Sequence, residues 1–303
     1  MTTEATRMPT HTSAPAQRAH PGSTPRCLVC GGALAPHRHL PGLHSCASCG
    51  FVTLGEEIDA EVLRELYGKD YFHGDEYADY VAEGPELRLN FRKRLATLCR
   101  HQPAGERRRL YEVGAAYGFF LDEARTAYGD VAGIDIAADA TEHARDRLHL
   151  DVTTGDYLTT DIEPVDCLAM WDTVEHLGQP REFVHKAAGD VRAGGLIAIT
   201  TGDIGSLNAR LRGRRWRMIH PPTHLHYFSR ETLTVLLDDA GFDVVHVETA
   251  GNSRSLRAMA FALIVLKGGR ERLFERLQGA AVLDRGLTLD LRDIMFVIAR
   301  RRP

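Results

Sequence analysis

The sequence predicts an α/β protein, a βαβ-wound sheet with a small cysteine-rich module ahead of it. Three observations carry that expectation. Short apolar runs alternate with amphipathic stretches from residue 109 onward, a glycine turn follows the first run directly, and Cys27, Cys30, Cys46 and Cys49 form paired CxxC motifs upstream. A chain of 303 residues can bury a core of this kind and carry a small appendage.

Residues 1–25 are rich in Thr, Ser, Ala, Pro and His, with almost no large apolar side chains to offset chain entropy, and are expected to be a disordered tail. The cysteine module spans 26–54. Helix-prone sequence at 58–67 and 85–99 makes 55–104 a helical linker or lid that includes Tyr67, Tyr71, Phe72, Tyr77 and Tyr80. The main domain follows at 105–303, with strands expected at 109–113, 131–134, 152–154, 165–170, 196–200, 243–248 and 292–299. Helical spacing falls at 119–127, 138–148, 180–191 and 230–240, where Gly129 and Gly241 serve as stop signals. A helical insertion at 255–288, whose stretch 255–278 is apolar in its first half and charged in its second, interrupts the rhythm before the last strand.

The cysteine spacing Cys27-x2-Cys30-x15-Cys46-x2-Cys49 supplies thiolates on paired knuckles, with Gly31, Gly32 and Gly50 behind them to permit tight turns. Tetrahedral zinc is the expected occupant, in a structural role because protein donors fill every position; a redox dithiol or an iron centre is the alternative. Cys99 and Cys167 are read as small buried apolar residues. The formal net charge of -4 argues against a nucleic-acid partner, and the module offers only Arg26 and Arg38 as strong cations. No apolar run approaches the roughly 18 to 20 residues of a membrane span, and the N-terminus has no signal-peptide pattern, so a soluble, cytoplasmic protein is expected.

The turn Glu112-Val113-Gly114-Ala115-Ala116-Tyr117-Gly118 joins the first strand to a helix, where a backbone without Cβ can approach a ligand and free N–H groups attract an anion. A dinucleotide-binding turn would look similar, but the third glycine of GxGxxG is missing. Acids at successive strand ends, Glu112, Asp135 and Asp156, decide between the two.

With these residues, the segment from about 105 to 250 resembles the class I S-adenosylmethionine-dependent methyltransferases. It is most similar to the branch of ubiquinone-type O-methyltransferases and bacterial sugar and natural-product methyltransferases, some of which carry an N-terminal CxxC zinc module. Trp171-Asp172-Thr173-Val174-Glu175-His176-Leu177, Gly194-Gly195 and Ala240-Gly241-Phe242 continue the match. The resemblance implies a Rossmann-like sheet of seven strands, the last antiparallel. It places S-adenosylmethionine against Glu112, Gly114, Ala115, Gly118, Asp135, Ile136, Asp156, Tyr157, Trp171 and Asp172. Ala115 and Ala116 stand where a glycine is commoner.

Asp172, Glu175 and His176 should border the transferred methyl, since ligands of open α/β sheets bind beyond the carboxyl ends of the strands. Glu175 and His176 are candidate catalytic residues. His176 can serve as a base that positions the acceptor, as a hydrogen-bonding cap, or, with Asp172 and Glu175, as a magnesium ligand of the kind that the similar E-x-x-E-H site implies. His224 and His226, in the Trp216–Ser229 segment, whose W…P…HLHYFS pattern is similar to one that closes over the acceptor in related enzymes, are further candidates. Arg210, Arg212, Arg214, Arg215 and Arg217 form either a solvated face or a clamp for a phosphate- or carboxylate-bearing acceptor. The expected activity is methylation of a small-molecule acceptor in secondary or sugar metabolism, at oxygen first and then carbon or nitrogen. An RNA methyltransferase and a non-catalytic scaffold are the alternatives.

Overall fold

The computed structural model describes residues 25–55, 80–266, 270–277 and 280–303. The tail at 1–24, the expected helix at 58–67, and Tyr67, Tyr71, Phe72 and Tyr77 lie outside the described residues.

Three short strands form the cysteine module: β1 (Leu34–Pro36), β2 (Leu43–Cys46) and β3 (Val52–Leu54), paired antiparallel in chain order. Gly31 and Gly50 follow the knuckles with φ of +71° and +80°. Helix α1 (Gly84–His101) comes next, started by Pro85 in its first turn, and buries Asn90, Phe91, Arg94, Leu95 and Leu98 on one face. It packs against α2 (Phe119–Ala124), the helix after the glycine turn, which ends earlier than the 127 expected.

The main sheet has seven strands in the order β10-β13-β8-β7-β4-β5-β6. Its parallel part comprises β4 (Arg109–Val113), β5 (Asp130–Asp135), β6 (Asp151–Thr154), β7 (Val165–Trp171) and β8 (Val191–Gly202). Helices α3 (Ala138–Leu148) and α4 (Pro180–Asp190) make crossovers. The last strand, β13 (Ile294–Arg301), inserts antiparallel between β8 and β10 (Phe242–Thr249), as the resemblance implies. All seven residues of β7 are buried, as befits a central strand covered on both faces.

Strand order reverses between β4's neighbours β5 and β7, which opens a crevice at their carboxyl ends. Two departures from expectation surround it. The 255–288 insertion is helical in separate pieces: α7 (Leu256–Phe261) leads into a wider-wound turn, Ala262–Leu266, and α8 (Glu271–Leu277) follows. A ladder between β11 (Asn252–Ser255) and β12 (Gly286–Leu289) brackets it, held because buried Asn90 of α1 bonds the Ser253 backbone on both sides. The second departure concerns α5 (Leu207–Arg212) and β9 (His226–Tyr227), which lead up to α6 (Arg230–Asp239). Strand β9 pairs with β3, so the cysteine module and the segment after β8 share one four-stranded sheet. No helix among the described residues is long and apolar enough to cross a membrane.

Candidate active site

A cavity of about 210 Å³ occupies the crevice. Its floor is the set of turns leaving β4, β5, β6 and β7, which bring in Gly114, Ala116, Asp135, Ile136, Asp156, Tyr157, Trp171 and Asp172. Gly114 has φ +79°, and a Cβ there would meet the Thr173 hydroxyl at 2.5 Å, so the turn admits no side chain. Asp135 fixes the turn from the neighbouring strand: its Oδ2 accepts from the Ala116 N–H at 2.8 Å and its Oδ1 from the Ala137 N–H at 2.9 Å. Burial raises its pKa while these backbone donors oppose the rise. Asp156 caps the following turn through Leu158 N–H.

Not every expected cofactor residue reaches the cavity. Glu112, Ala115 and Gly118 lie one layer behind its wall. Glu112 is 2% exposed inside the strand layer, with its pKa raised well above the usual carboxylate range by burial. Ala115 packs in the helix-side core, and Gly118 sits against Leu150 and Ala144. These residues shape the turn from behind.

The opposite wall comes from Tyr80 and the helix of the expected linker or lid, through Glu83, Leu87, Asn90, Phe91 and Arg94, and from Asn252, Ser253 and Arg254 of β11, which the sequence did not single out. Arg94 is the central member. It is 6% exposed, lies over the rings of Trp171 and Phe91, and bonds Asp172 Oδ2 and Asn252 Oδ1, each at 3.2 Å. Asp172 is further held by the Thr200 hydroxyl, which donates to its Oδ1 at 3.1 Å, and its backbone is left-handed at φ +50°. Of the arginine run, Arg217 is committed to buried Asp293 at 2.8 Å, while Arg210, Arg212, Arg214 and Arg215 line no part of the cavity.

His176 lines the cavity at the β7 end, and its Nδ1 meets the Thr223 carbonyl at 2.8 Å. Because a carbonyl only accepts, Nδ1 carries the proton and Nε2 the lone pair. Burial pushes the His176 pKa down to about 4, so the ring is neutral near pH 7. His224 stacks edge-on to it with centroids 4.8 Å apart. Its own Nδ1 meets the Met218 carbonyl at 2.9 Å, which fixes the same tautomer. Glu175 and His224 line a smaller crevice behind the cavity.

His226 lines the same small crevice but is more tightly tied down. It is 4% exposed, its Nε2 bonds the Leu177 carbonyl at 2.8 Å, and its Nδ1 meets the Thr53 hydroxyl at 2.9 Å. It joins the cysteine module to the Glu175–Leu177 backbone, and Leu225 N–H bonding the Glu175 carbonyl strengthens the same link. Both ring nitrogens are engaged in these bonds.

The magnesium set expected at Asp172, Glu175 and His176 is not assembled either. Arg94 and Thr200 hold Asp172, and the donors brought together are Glu175, His176 and His224. The cysteines, for their part, converge. Cys27 and Cys49 Sγ are 3.6 Å apart, Cys30 and Cys46 Sγ 3.5 Å, and all four lie within 4.8 Å of one another without a disulfide. Thiolates about 2.3 Å from a tetrahedral ion stand roughly 3.8 Å apart, so the donor set and its spacing fit zinc.

Comparison with known proteins agrees with this geometry. Residues 83–247, more than half of the chain, match the family described as "Methyltransferase domain". A ubiquinone biosynthesis O-methyltransferase from Hydrogenovibrio crunogenus is 30% identical over 125 residues, which are 38% of this chain and 48% of that protein. The chain therefore spans about half the length of this curated relative. Among solved structures, a candidate methyltransferase from Bacillus halodurans C-125 superposes with a TM-score of 0.51 at 13% identity, covering 69% of this chain and 99% of that one. The YcgJ protein of Bacillus subtilis gives 0.49 at 12% identity, covering 70% and 99%. The chain belongs to the class I S-adenosylmethionine-dependent methyltransferases.

Proposed function

We propose that this chain transfers a methyl group from S-adenosylmethionine to a hydroxyl of a small-molecule acceptor. One observation carries the reading: a single cavity has the Gly114 turn and Asp135 at its floor and His176 at its rim. The residues present suit the donor. Asp135 at the end of β5 keeps a lone pair on each oxygen for vicinal hydroxyls, Gly114 and Ala116 allow close backbone approach, and Ile134, Ile136 and Tyr157 offer apolar faces to a flat ring. When bound, the donor supplies an electrophilic methyl on a sulfonium.

The chain's own residues align the acceptor and help remove its proton. His176, which lines the cavity with its Nδ1–H held by the Thr223 carbonyl, is the candidate base. Leu87, Phe91, Leu177 and Phe183 make the cavity wall apolar enough for an aromatic or prenylated acceptor. Likeness to a relative named as an O-methyltransferase supports oxygen as the receiving atom.

The test is transfer of labelled methyl to a panel of hydroxylated aromatics, sugars and RNA. Label should appear in a hydroxyl-bearing small molecule and fall by about 100-fold or more in His176→Ala, the size of a general-base contribution. Label in RNA, or in no acceptor across the panel, overturns the reading.

A further inference from the structure

Exposed apolar side chains concentrate in the insertion before the last strand. Seven of the fourteen large apolar side chains that stand exposed among the described residues lie between Leu263 and Leu291, among them Leu273, Leu277, Leu287 and Leu289. Together they expose roughly 600 Å² per chain, about 1,200 Å² over two copies, which reaches the low end of stable protein interfaces. Leu273 and Leu277 stand one turn apart on α8, whose Phe274 turns inward to Phe261 of α7.

The ladder of β11 and β12 shows which partner fits. In an antiparallel ladder the N–H and C=O of one residue point to the same edge, and successive residues alternate between edges. On β11, Ser253 gives both groups to buried Asn90 of α1, and Ser255 gives its N–H to buried Glu83, so that edge is covered. Opposite them in register stand Thr288 and Gly286, whose backbone groups therefore point the other way, out of the ladder. No backbone group bonds them among the described residues, and all four residues of β12 are exposed. A lipid surface cannot pair with such an edge, whereas another strand can. Arg285 and Asp290 carry opposite charge at the two ends of β12, so an antiparallel copy sets unlike charges near each other and a parallel copy sets like charges together.

We propose that a second copy of this chain pairs antiparallel with the free edge of β12, joining the two ladders into one four-stranded sheet. With Thr288 on the two-fold axis, the two Thr288 residues exchange both backbone bonds and Gly286 of each copy bonds Asp290 of the other. Leu287 of each copy then lies opposite Leu289 of the other. The pairing braces β11 through β12, and β11 supplies Asn252, Ser253 and Arg254 to the cavity wall. It rests on the strand edge and does not depend on the methyl-transfer reading.

The test is sedimentation equilibrium of the full chain at concentrations up to about 100 µM. The wild type should sediment at twice the chain mass. Thr288→Pro lacks the outward N–H and Thr288→Val keeps it, while both lose the hydroxyl that meets Ser253 and Lys93. The proline variant should bind its copy at least 100-fold more weakly, and the valine variant should stay within about threefold of the wild type. Leu289→Asp, which sets a carboxylate against Leu287 of the other copy, should dissociate as well, with circular dichroism unchanged. A wild-type monomer at about 100 µM overturns the proposal without depending on how any variant folds. A dimer weakened equally by proline and valine, or by neither, or left intact by Leu289→Asp, overturns it too, since the copies then meet elsewhere. So does a chain that stays monomeric and binds vesicles of anionic phospholipid, which would make the exposed leucines a membrane face.

Discussion

The two halves of the cavity are built differently. The donor half is made of turns at the ends of neighbouring parallel strands, so each contributing residue lies within a few positions of a strand and is held by sheet hydrogen bonds. Asp135, for instance, braces Ala116 directly. The other half draws on α1 and β11, neither of which is part of the parallel core, and on His176, behind which the segment from Trp216 to Tyr227 lines a smaller crevice. Its histidines owe their placement to a second sheet: β3 of the cysteine module pairs with β9, Thr53 bonds His226, and Phe51 packs against His226 and Phe228. On the proposed reading the cysteine module supports the acceptor half, which should be separable from the donor half by mutation.

The largest separation is expected from Cys46→Ser. Cys46 is a buried member of the four-sulfur cluster, and structural zinc in small modules supplies much of their folding free energy. Methyl transfer should fall on the order of 100-fold while calorimetric affinity for S-adenosylhomocysteine stays within about threefold, a loss confined to the locally unfolded part. Equal collapse of both quantities would break the comparison. On the donor side, Gly114→Val forces a β-branched residue to φ +79° and against Thr173. The turn must move, and cofactor affinity should drop by about 100-fold, or 2.7 kcal/mol. Unchanged affinity would remove the turn from the site.

Asp135→Ala removes the acceptor for Ala116 and Ala137 and should weaken cofactor binding by about 10- to 100-fold, with the thermal midpoint falling as well. The smallest effect belongs to Thr53→Val, which leaves His226 Nδ1 without its hydroxyl. About 1 kcal/mol is at stake, so kcat should drop roughly fivefold with KM for the cofactor unchanged. A rise in cofactor KM instead would show that the module also supports the donor half.

This division explains what could be read from the sequence. Gly114, Asp135, Asp156 and Trp171 were legible because strand, turn and acid recur locally, and each strand end delivers its residue to the same crevice. The zinc-type module was legible for the same reason, since ligand spacing is itself local. Arg94 and Asn252 were not. They are 158 positions apart, and their meeting over Trp171 depends on how α1 crosses the sheet. The histidines of the HLHYFS segment illustrate the same limit. His224 and His226 are equivalent in sequence, yet one faces His176 and the other is tied down by Thr53 and Leu177. Only the pairing of β9 with β3, a contact across more than 170 positions, separates them. Arg217, open in sequence between a solvated face and a substrate clamp, pairs instead with Asp293 from just before the last strand.

The central claim is that the crevice at the ends of β4 to β7 holds S-adenosylmethionine. Isothermal titration of the full chain with S-adenosylhomocysteine tests it most directly. Saturable binding of one molecule per chain, competed by S-adenosylmethionine, is the predicted result. Absence of saturable binding by a protein whose circular dichroism shows the folded α/β content would contradict it.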